Sequence, residues 1–462
     1  MARRLLYLIQ MLNYMGRQGD EKVMNIKWVS TTEQQQWEEN KIELSAEGND
    51  TLELTGDSFQ TIDGFGGCFN ELGWIALSQL DEEKKNEIFS ELFDKEKGCK
   101  FNFCRLPVGA NDYSAEWYSY NENDGDYNME KFSIERDKHY LIPYIKKAME
   151  LQPDLKLFAS PWSPPTWMKF PRAYNHGTLI WEKKNLEAYA LYFLKYVKAY
   201  EAEGININQI HVQNEPMSDQ KFPSCIWTGE QFREFIRDYM GPLFEKNEID
   251  AEIWLGTLNG PETDSRFLAT TYDKYANAVL SDEEARRYIK GVSYQWAGKY
   301  GIQQTYLSYP ELKYMQSENE CGDGTNTWEY ARYIFNLYRH YFSNGVGSYI
   351  YWNMVLELEG RSTWGWKQNS MITIKPETKE VIYNPEFYVM KHFSHFVKKG
   401  AVRLGIKGHW AGNSTAFKNP DGEIVLVVGN GLTRPRSFTF KGEDKKLTLE
   451  LKPLSFNTII IK

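Results

Sequence analysis

The segment "QIHVQNEP", residues 209–216, starts as a β-type run with Ile210 and Val212 alternating and stops in Asn214, Glu215 and Pro216. Proline lacks the backbone donor a ladder needs, so the strand cannot run past Glu215. Asn and Pro also mark ordinary turns, and the triplet alone reads equally well as one. Its neighbours decide. Upstream lie three short β-rich runs, "QTIDGFGG" (60–67), "FNFCRLPVG" (101–109) and "LKLFASPW" (155–162). Downstream lie four more, "AEIWLGTLN" (251–259), "KGVSYQW" (290–296), "KYMQSENE" (313–320) and "SYIYWNMV" (348–355). Amphipathic stretches separate them. "NLEAYALYFLKYVKAYEAEG" (185–204) closes on a glycine, and "TGEQFREFIRDYMGPLFEKN" (228–247) opens on a threonine cap.

Eight successive β-then-α units predict a (β/α)8 TIM barrel, a closed parallel barrel ringed by helices. The alternative, an open doubly wound sheet, carries a GxGxxG turn, and "GFGG" at 64–67 lacks that spacing. The ends of the chain differ from its middle. "MNIKWVSTT", "KIELSAEG" and "TLELTG" come before the barrel. After its last helix come "VRLGI", "STAFKNPDGEIVLVVGNG", "RSFTFKG", "KLTLELK" and "NTIIIK". Short strands with Gly, Asn-Pro and Pro-Asp-Gly turns predict an all-β sandwich side domain built from both termini. The expected division is 24–57 for its first strands, 58–395 for the barrel and 396–462 for the rest of the sandwich. Residues 1–23 read as a leader without a small-x-small cleavage site, or as an over-extended start before Met24. The expected location is cytoplasmic, with secretion as the alternative.

Composition excludes several classes. A net charge of −9 argues against a nucleic-acid partner, which needs a basic surface. No run approaches the ~18 apolar residues of a membrane span. Cys68, Cys99, Cys104, Cys225 and Cys321 are odd in number and scattered, against a disulfide framework or a zinc site. His392 and His395 sit at i, i+3 without a third ligand and are expected to be solvated, and His211 to pack within its strand. No metal is expected.

Barrel enzymes build their sites at the C-terminal ends of the strands. Here those ends turn polar: Arg105 on the second, Trp162 on the third, Asn214 and Glu215 on the fourth, Trp296 on the sixth. Glu318 or Glu320 ends the seventh, and Trp352 with Asn353 the eighth. Acids on opposite strands with tryptophans between them suit a sugar held between carboxyls. In glycoside hydrolysis one protonated carboxyl donates to the departing oxygen while the other attacks the anomeric carbon, at a separation of about 5–5.5 Å. Asn214 stands where an amide can bind the sugar 2-hydroxyl. Simpler roles compete. Glu320 rivals Glu318, because alternation points both the same way. Arg105 reads also as the partner of a core acid, Asp112 as a turn cap, and Trp167, Trp181, Trp227, Trp364 and Trp366 as core or loop rings of which about half are expected to touch substrate. A metal-dependent barrel lyase and a non-catalytic carbohydrate-binding protein are the readings from other classes.

From about residue 58 to the C-terminus the chain resembles glycoside hydrolase family 30, which includes glucosylceramidases and β-1,6-glucanases. The likeness rests on "IDGFGG", "FCRLPVGANDYS", "FASPWSPPTWMK", "QNEP", "CIWTGEQFREFIRDYMGP", "SENEC" and "YWNMVLELEGRSTWGWKQNSMI". The resemblance implies a retaining β-glycoside hydrolase with a carbohydrate substrate and no cofactor. It implies Glu215 as acid/base and Glu318 as nucleophile, with Arg105, Asp112, Trp162, Asn214, Trp296 and Trp352 around the glycosyl pocket. Asp112 and Trp162 match positions that hold the far hydroxyls of a glucose. One departure stands out. Glucosylceramidases carry His-Trp-Tyr on strand six, where this chain has Tyr294, Gln295 and Trp296, so a tyrosine that would contact the nucleophile is replaced by Trp296. The expectation therefore leans to a β-1,6-glucanase or β-glucosidase, with a glucosylceramidase or β-xylosidase as alternatives.

Overall fold

The computed structural model of the chain describes residues 25–42, 48–260, 275–442 and 445–462; the leader reading of residues 1–23 lies outside them. Eight strands close into a parallel barrel. In chain order they are β1 (Gly64–Cys68), β2 (Phe103–Pro107), β3 (Lys156–Ser160), β4 (Gln209–His211), β5 (Glu252–Leu258), β6 (Ile289–Gln295), β7 (Lys313–Glu318) and β8 (Val346–Asn353). β8 pairs with β1 and β4 with β5, which leaves no open edge. Helices return the chain outside, among them Lys183–Ala202 after β3 and Trp328–Ser343 after β7. No helix among the described residues is long and apolar enough to cross a membrane.

Strands buried on both faces carry apolar residues outward to the helices, so what points inward shapes the barrel. Phe103, Phe158, Trp254, Met315 and Ile350 fill one inner layer. His211 joins it as expected, its ring stacked on Trp254 at 5.3 Å and sharing a 2.8 Å hydrogen bond with Ser293 Oγ. This plug is the floor on which the polar layer of the site stands.

The side domain is one nine-stranded run of hydrogen-bonded strands drawn from both ends of the chain. Ile26–Thr31 lies antiparallel to Ser455–Ile461, and Thr51–Thr61 lies between Val402–Lys407 and Arg436–Gly442. Thr61 pairs with Val402, so residues 60 and 61 belong to this sheet and not to the first barrel strand. A short strand at Glu38–Asn40 precedes the segment "KIELSAEG", whose residues 43–47 lie outside the described residues. Alternation divides the strand Ile424–Asn430 cleanly. Leu426 and Val428 enter the sandwich core with Trp28, Trp410 and Phe438, whereas Val425 and Val427 join the core shared with the barrel. Phe417 and Phe456 meet Phe342, Trp328 and Phe335 of the barrel helices.

His392 corrects the expectation of a solvated pair. It is fully buried, with ring nitrogens 2.9 Å from Thr458 Oγ1 and Thr31 Oγ1. His395 is partly buried against Gly98 O at 2.7 Å. Burial drives the His392 pKa down to about 3, so it joins barrel to sandwich as a neutral ring.

Candidate active site

The opening segment is the pivot of the site. Beyond His211 the backbone leaves the regular ladder and bonds to each neighbour in turn. Gln213 N donates to Gly256 O, Asn214 N to Pro161 O at 2.8 Å, and Glu215 N to Thr257 O at 3.1 Å. Glu215 adopts φ +46°, an uncommon region for a residue with a side chain. Pro216 then forces the turn. The strand thus ends by presenting two consecutive polar side chains to the barrel mouth instead of one.

Arg105 rises through the centre of the polar layer and is wholly buried. Its guanidinium lies 4.4 Å from the Trp162 ring centroid and 5.4 Å from that of Trp352. It donates to Ser160 Oγ at 2.8 Å and Asn214 Oδ1 at 2.6 Å, and it forms a salt bridge with Glu318 Oε2. The reading of Arg105 as the partner of an acid therefore holds, and the acid is the one at the site. Asn214 Oδ1 also accepts from Thr257 Oγ1 at 2.9 Å and Gln295 Nε2 at 2.7 Å.

A narrow cavity of about 120 Å³ opens above this layer, lined in part by Asp112, Trp162, Glu215, Trp296 and Glu318. Arg105, Asn214 and Trp352 stand directly behind this lining, Arg105 donating to both Glu318 and Asn214 and Trp352 packing on Trp162, so that only a small part of Asn214 can reach the cavity. The indole of Trp352 packs 5.4 Å from Trp162 and donates to Gln368 Oε1 at 2.7 Å. Gln368 in turn donates to Asp112 Oδ2 at 3.3 Å, while Asp112 Oδ1 is buried with no partner among the described residues. The adjacent turn is capped by Asn111, whose Oδ1 accepts from Tyr113 N at 2.6 Å. Asp112 is therefore a pocket carboxyl and not a turn cap.

The three acids repel one another in a site where burial already disfavours charge. Burial, then the nearby Glu318 and Asp112, push Glu215 up to about 8. Burial and Glu318 push Asp112 to about 7. Burial raises Glu318 as well, but Arg105 opposes it through charge and hydrogen bond. The cation sits on Glu318, so the proton of the pair rests on Glu215. Two carboxyls in one cavity, one held as an anion and the other kept protonated, are equipped for proton donation together with nucleophilic attack.

Several sequence readings need correction. β7 ends at Glu318, and Glu320 lies beyond the strand, where its carboxylate is close enough to Tyr333 on the outer helix to add to burial in raising that phenol's pKa. Glu320 does not line the cavity. On β6 it is Gln295, not Trp296, that touches Glu318, donating from Nε2 to Oε2 at 2.8 Å. Trp296 begins the turn after the strand and forms part of the rim. Trp364 and Trp366 line the cavity, whereas Trp167, Trp181 and Trp227 pack elsewhere. Ser160, Thr257, Gln295 and Gln368 were missed. Alternation holds the signal for Gln295: Ser293 meets His211 inside the barrel, Tyr294 reaches outward to Thr305, and Gln295 therefore points inward.

A parallel barrel with such a carboxyl pair at the C-terminal ends of its strands defines a glycoside hydrolase. The chain belongs to glycosyl hydrolase family 30, whose TIM-barrel domain matches residues 62–397 and whose beta sandwich domain matches residues 400–459. It is 30% identical over 428 residues to putative glucosylceramidase 2 of Caenorhabditis elegans, covering 87% of this chain and 81% of that protein. It is 26% identical over 413 residues to the endo-1,6-beta-D-glucanase of Neurospora crassa, covering 83% of this chain and 82% of that one. The crystal structure of SrfJ from Salmonella typhimurium superimposes with a TM-score of 0.85 at 26% identity, over 94% of this chain and 99% of the other.

Proposed function

We propose that this glycoside hydrolase cleaves β-linked glucosides with retention of configuration, and that its natural substrate is a β-1,6-linked glucan or a short β-glucoside. The observation that carries the reading is the unequal treatment of two glutamates facing one cavity: Arg105 and Gln295 hold Glu318, while Glu215 has no cation of its own among the described residues. In this mechanism Glu215 protonates the glycosidic oxygen as Glu318 attacks the anomeric carbon, and the aglycone leaves. Esterification cancels the charge on Glu318. Its repulsion no longer raises the Glu215 pKa, so Glu215, having given its proton to the aglycone, stays ionised and can take one from the incoming water. Asn214 binds the 2-hydroxyl, and Asp112, whose buried Oδ1 has no partner among the described residues, receives a hydroxyl at the far side of the ring.

The gluco preference rests on Asp112, Gln368 and Trp162 gathered at one side of the cavity. A glucosylceramidase is the second reading. Phe222, Trp364 and Trp366 form an apolar rim, with ring centroids 5.4 and 5.2 Å apart in succession, that suits a lipid aglycone. The strand-six departure weighs against it.

Turnover of a pustulan-type β-1,6-glucan, gentiobiose, glucosylceramide and an aryl β-xyloside in parallel separates these readings. The glucan or gentiobiose is expected to be the best substrate, and a preference for glucosylceramide would replace the first reading with the second. Proton NMR of the earliest product tests the mechanism. The β-anomer should appear first and mutarotate slowly to the mixture; α-glucose first would mean direct displacement by water.

A further inference from the structure

We propose that Gln295 is a positioning residue: its single side-chain amide sets both which oxygen of Glu318 attacks and which end of Asn214 faces the sugar. The proposal rests on the double-displacement reading above. Gln295 is wholly buried at the end of β6, and its backbone carbonyl accepts from the hydroxyl of Tyr341. A carboxamide nitrogen carries two hydrogens. Here the two shortest contacts are to Glu318 Oε2 at 2.8 Å and Asn214 Oδ1 at 2.7 Å; a longer one reaches Thr257 Oγ1 at 3.2 Å.

Arg105 meets the same two oxygens from the other side. Two donors therefore occupy Glu318 Oε2, and the other oxygen, Oε1, is left to approach the anomeric carbon. Asn214 Oδ1 is saturated by Arg105, Thr257 and Gln295. Its amide cannot turn over without facing donors with donors, so Nδ2 remains the end available to a sugar 2-hydroxyl. A phenol at this place would offer one proton and serve one acceptor. The neutral amide serves two and adds no charge to a site where Arg105 already balances Glu318.

The test compares an aryl β-glucoside with its 2-deoxy analogue in the wild type, Gln295→Met and Gln295→Glu. Both variants keep the length of the glutamine side chain, and neither offers the two amide protons. The expected result is a fall in kcat of about a hundredfold from misplaced reacting atoms, with KM changed by less than about twofold. The discrimination against the 2-deoxy substrate should shrink about tenfold, the worth of one hydrogen bond. A structural role alone would lower activity on both substrates alike. Undiminished 2-deoxy discrimination in either folded variant, judged by melting temperature and near-ultraviolet circular dichroism, would overturn the proposal even if kcat fell. Peptide mapping after a 2-fluoro glucoside separates this from the underlying reading. A label on Glu318 supports double displacement through that residue, whereas a label elsewhere refutes that assignment whatever the 2-deoxy comparison shows.

Discussion

Glu318→Ala is expected to abolish turnover, by at least about 10⁴-fold, the scale on which removal of a nucleophile is felt. The reason is geometric and chemical together. Glu318 is held by the Arg105 salt bridge and the Gln295 amide, and its carboxylate faces the cavity. Glu320 lies beyond the end of β7 and does not line the cavity, so Glu320→Ala should keep most of the wild-type rate. A 2-fluoro glucoside with a good leaving group should trap the glycosyl-enzyme, and peptide mapping is expected to place the label on Glu318. A label on Glu320, or full activity in Glu318→Ala, would reverse the assignment. The alanine variant also strips Arg105 of its carboxylate and leaves a buried cation, a change that costs on the order of 3–5 kcal/mol where such pairs are broken. Comparison with Glu318→Gln, which keeps the shape, separates lost chemistry from lost stability: both variants should be inactive, while the glutamine form melts closer to the wild type.

Glu215→Gln produces the second large effect, and it depends on the leaving group. For alkyl or glycosyl leaving groups, which cannot depart without a proton, kcat/KM falls by about 10²–10⁴-fold. For a dinitrophenyl glucoside, whose leaving group departs as a stable anion, the first step barely changes, and slow hydrolysis of the glycosyl-enzyme limits turnover. Azide, which needs no general base, then restores the rate and yields the β-glucosyl azide. The pH profile supplies an independent check. Burial and two neighbouring acids raise Glu215 to about 8; it is protonated below that pH and loses its proton above it. Activity on poor leaving groups should therefore decline as pH rises through about 8, and glutamine, which does not titrate, should remove that alkaline limb. Equal losses on good and poor leaving groups, or an alkaline limb unchanged in the variant, would remove Glu215 from the acid role.

The barrel was legible because its signal repeats. Each strand is short and apolar and each helix amphipathic, and eight repeats of that period exclude most other architectures. Glu215 was legible for a local reason, since Pro216 ends β4 at a fixed point and leaves Asn214 and Glu215 at its tip. The sandwich strands were equally plain from their alternation and turns. At the junctions reading was harder. Thr61 continues a strand of the side sheet because Val402, some 340 residues later, supplies its hydrogen bonds, and no local pattern carries that information.

What the sequence by itself determined was the periodic part of the molecule and the residue types at the strand ends, because these depend on local covalent limits and on the burial of one face or two. Only the tertiary structure decided which acids share a cavity and which of them holds the proton. Glu318 and Glu320 are alike in sequence context, and one faces Arg105 while the other faces Tyr333 because β7 stops between them. The same holds for Gln295, Thr257 and Ser160, ordinary polar residues in apolar strands until closure of the barrel brings them around Arg105 and Asn214. Electrostatic character arises from distances through space in a buried interior, where a single guanidinium within hydrogen-bond reach of Glu318, and not of Glu215, sets two neighbouring carboxyls apart.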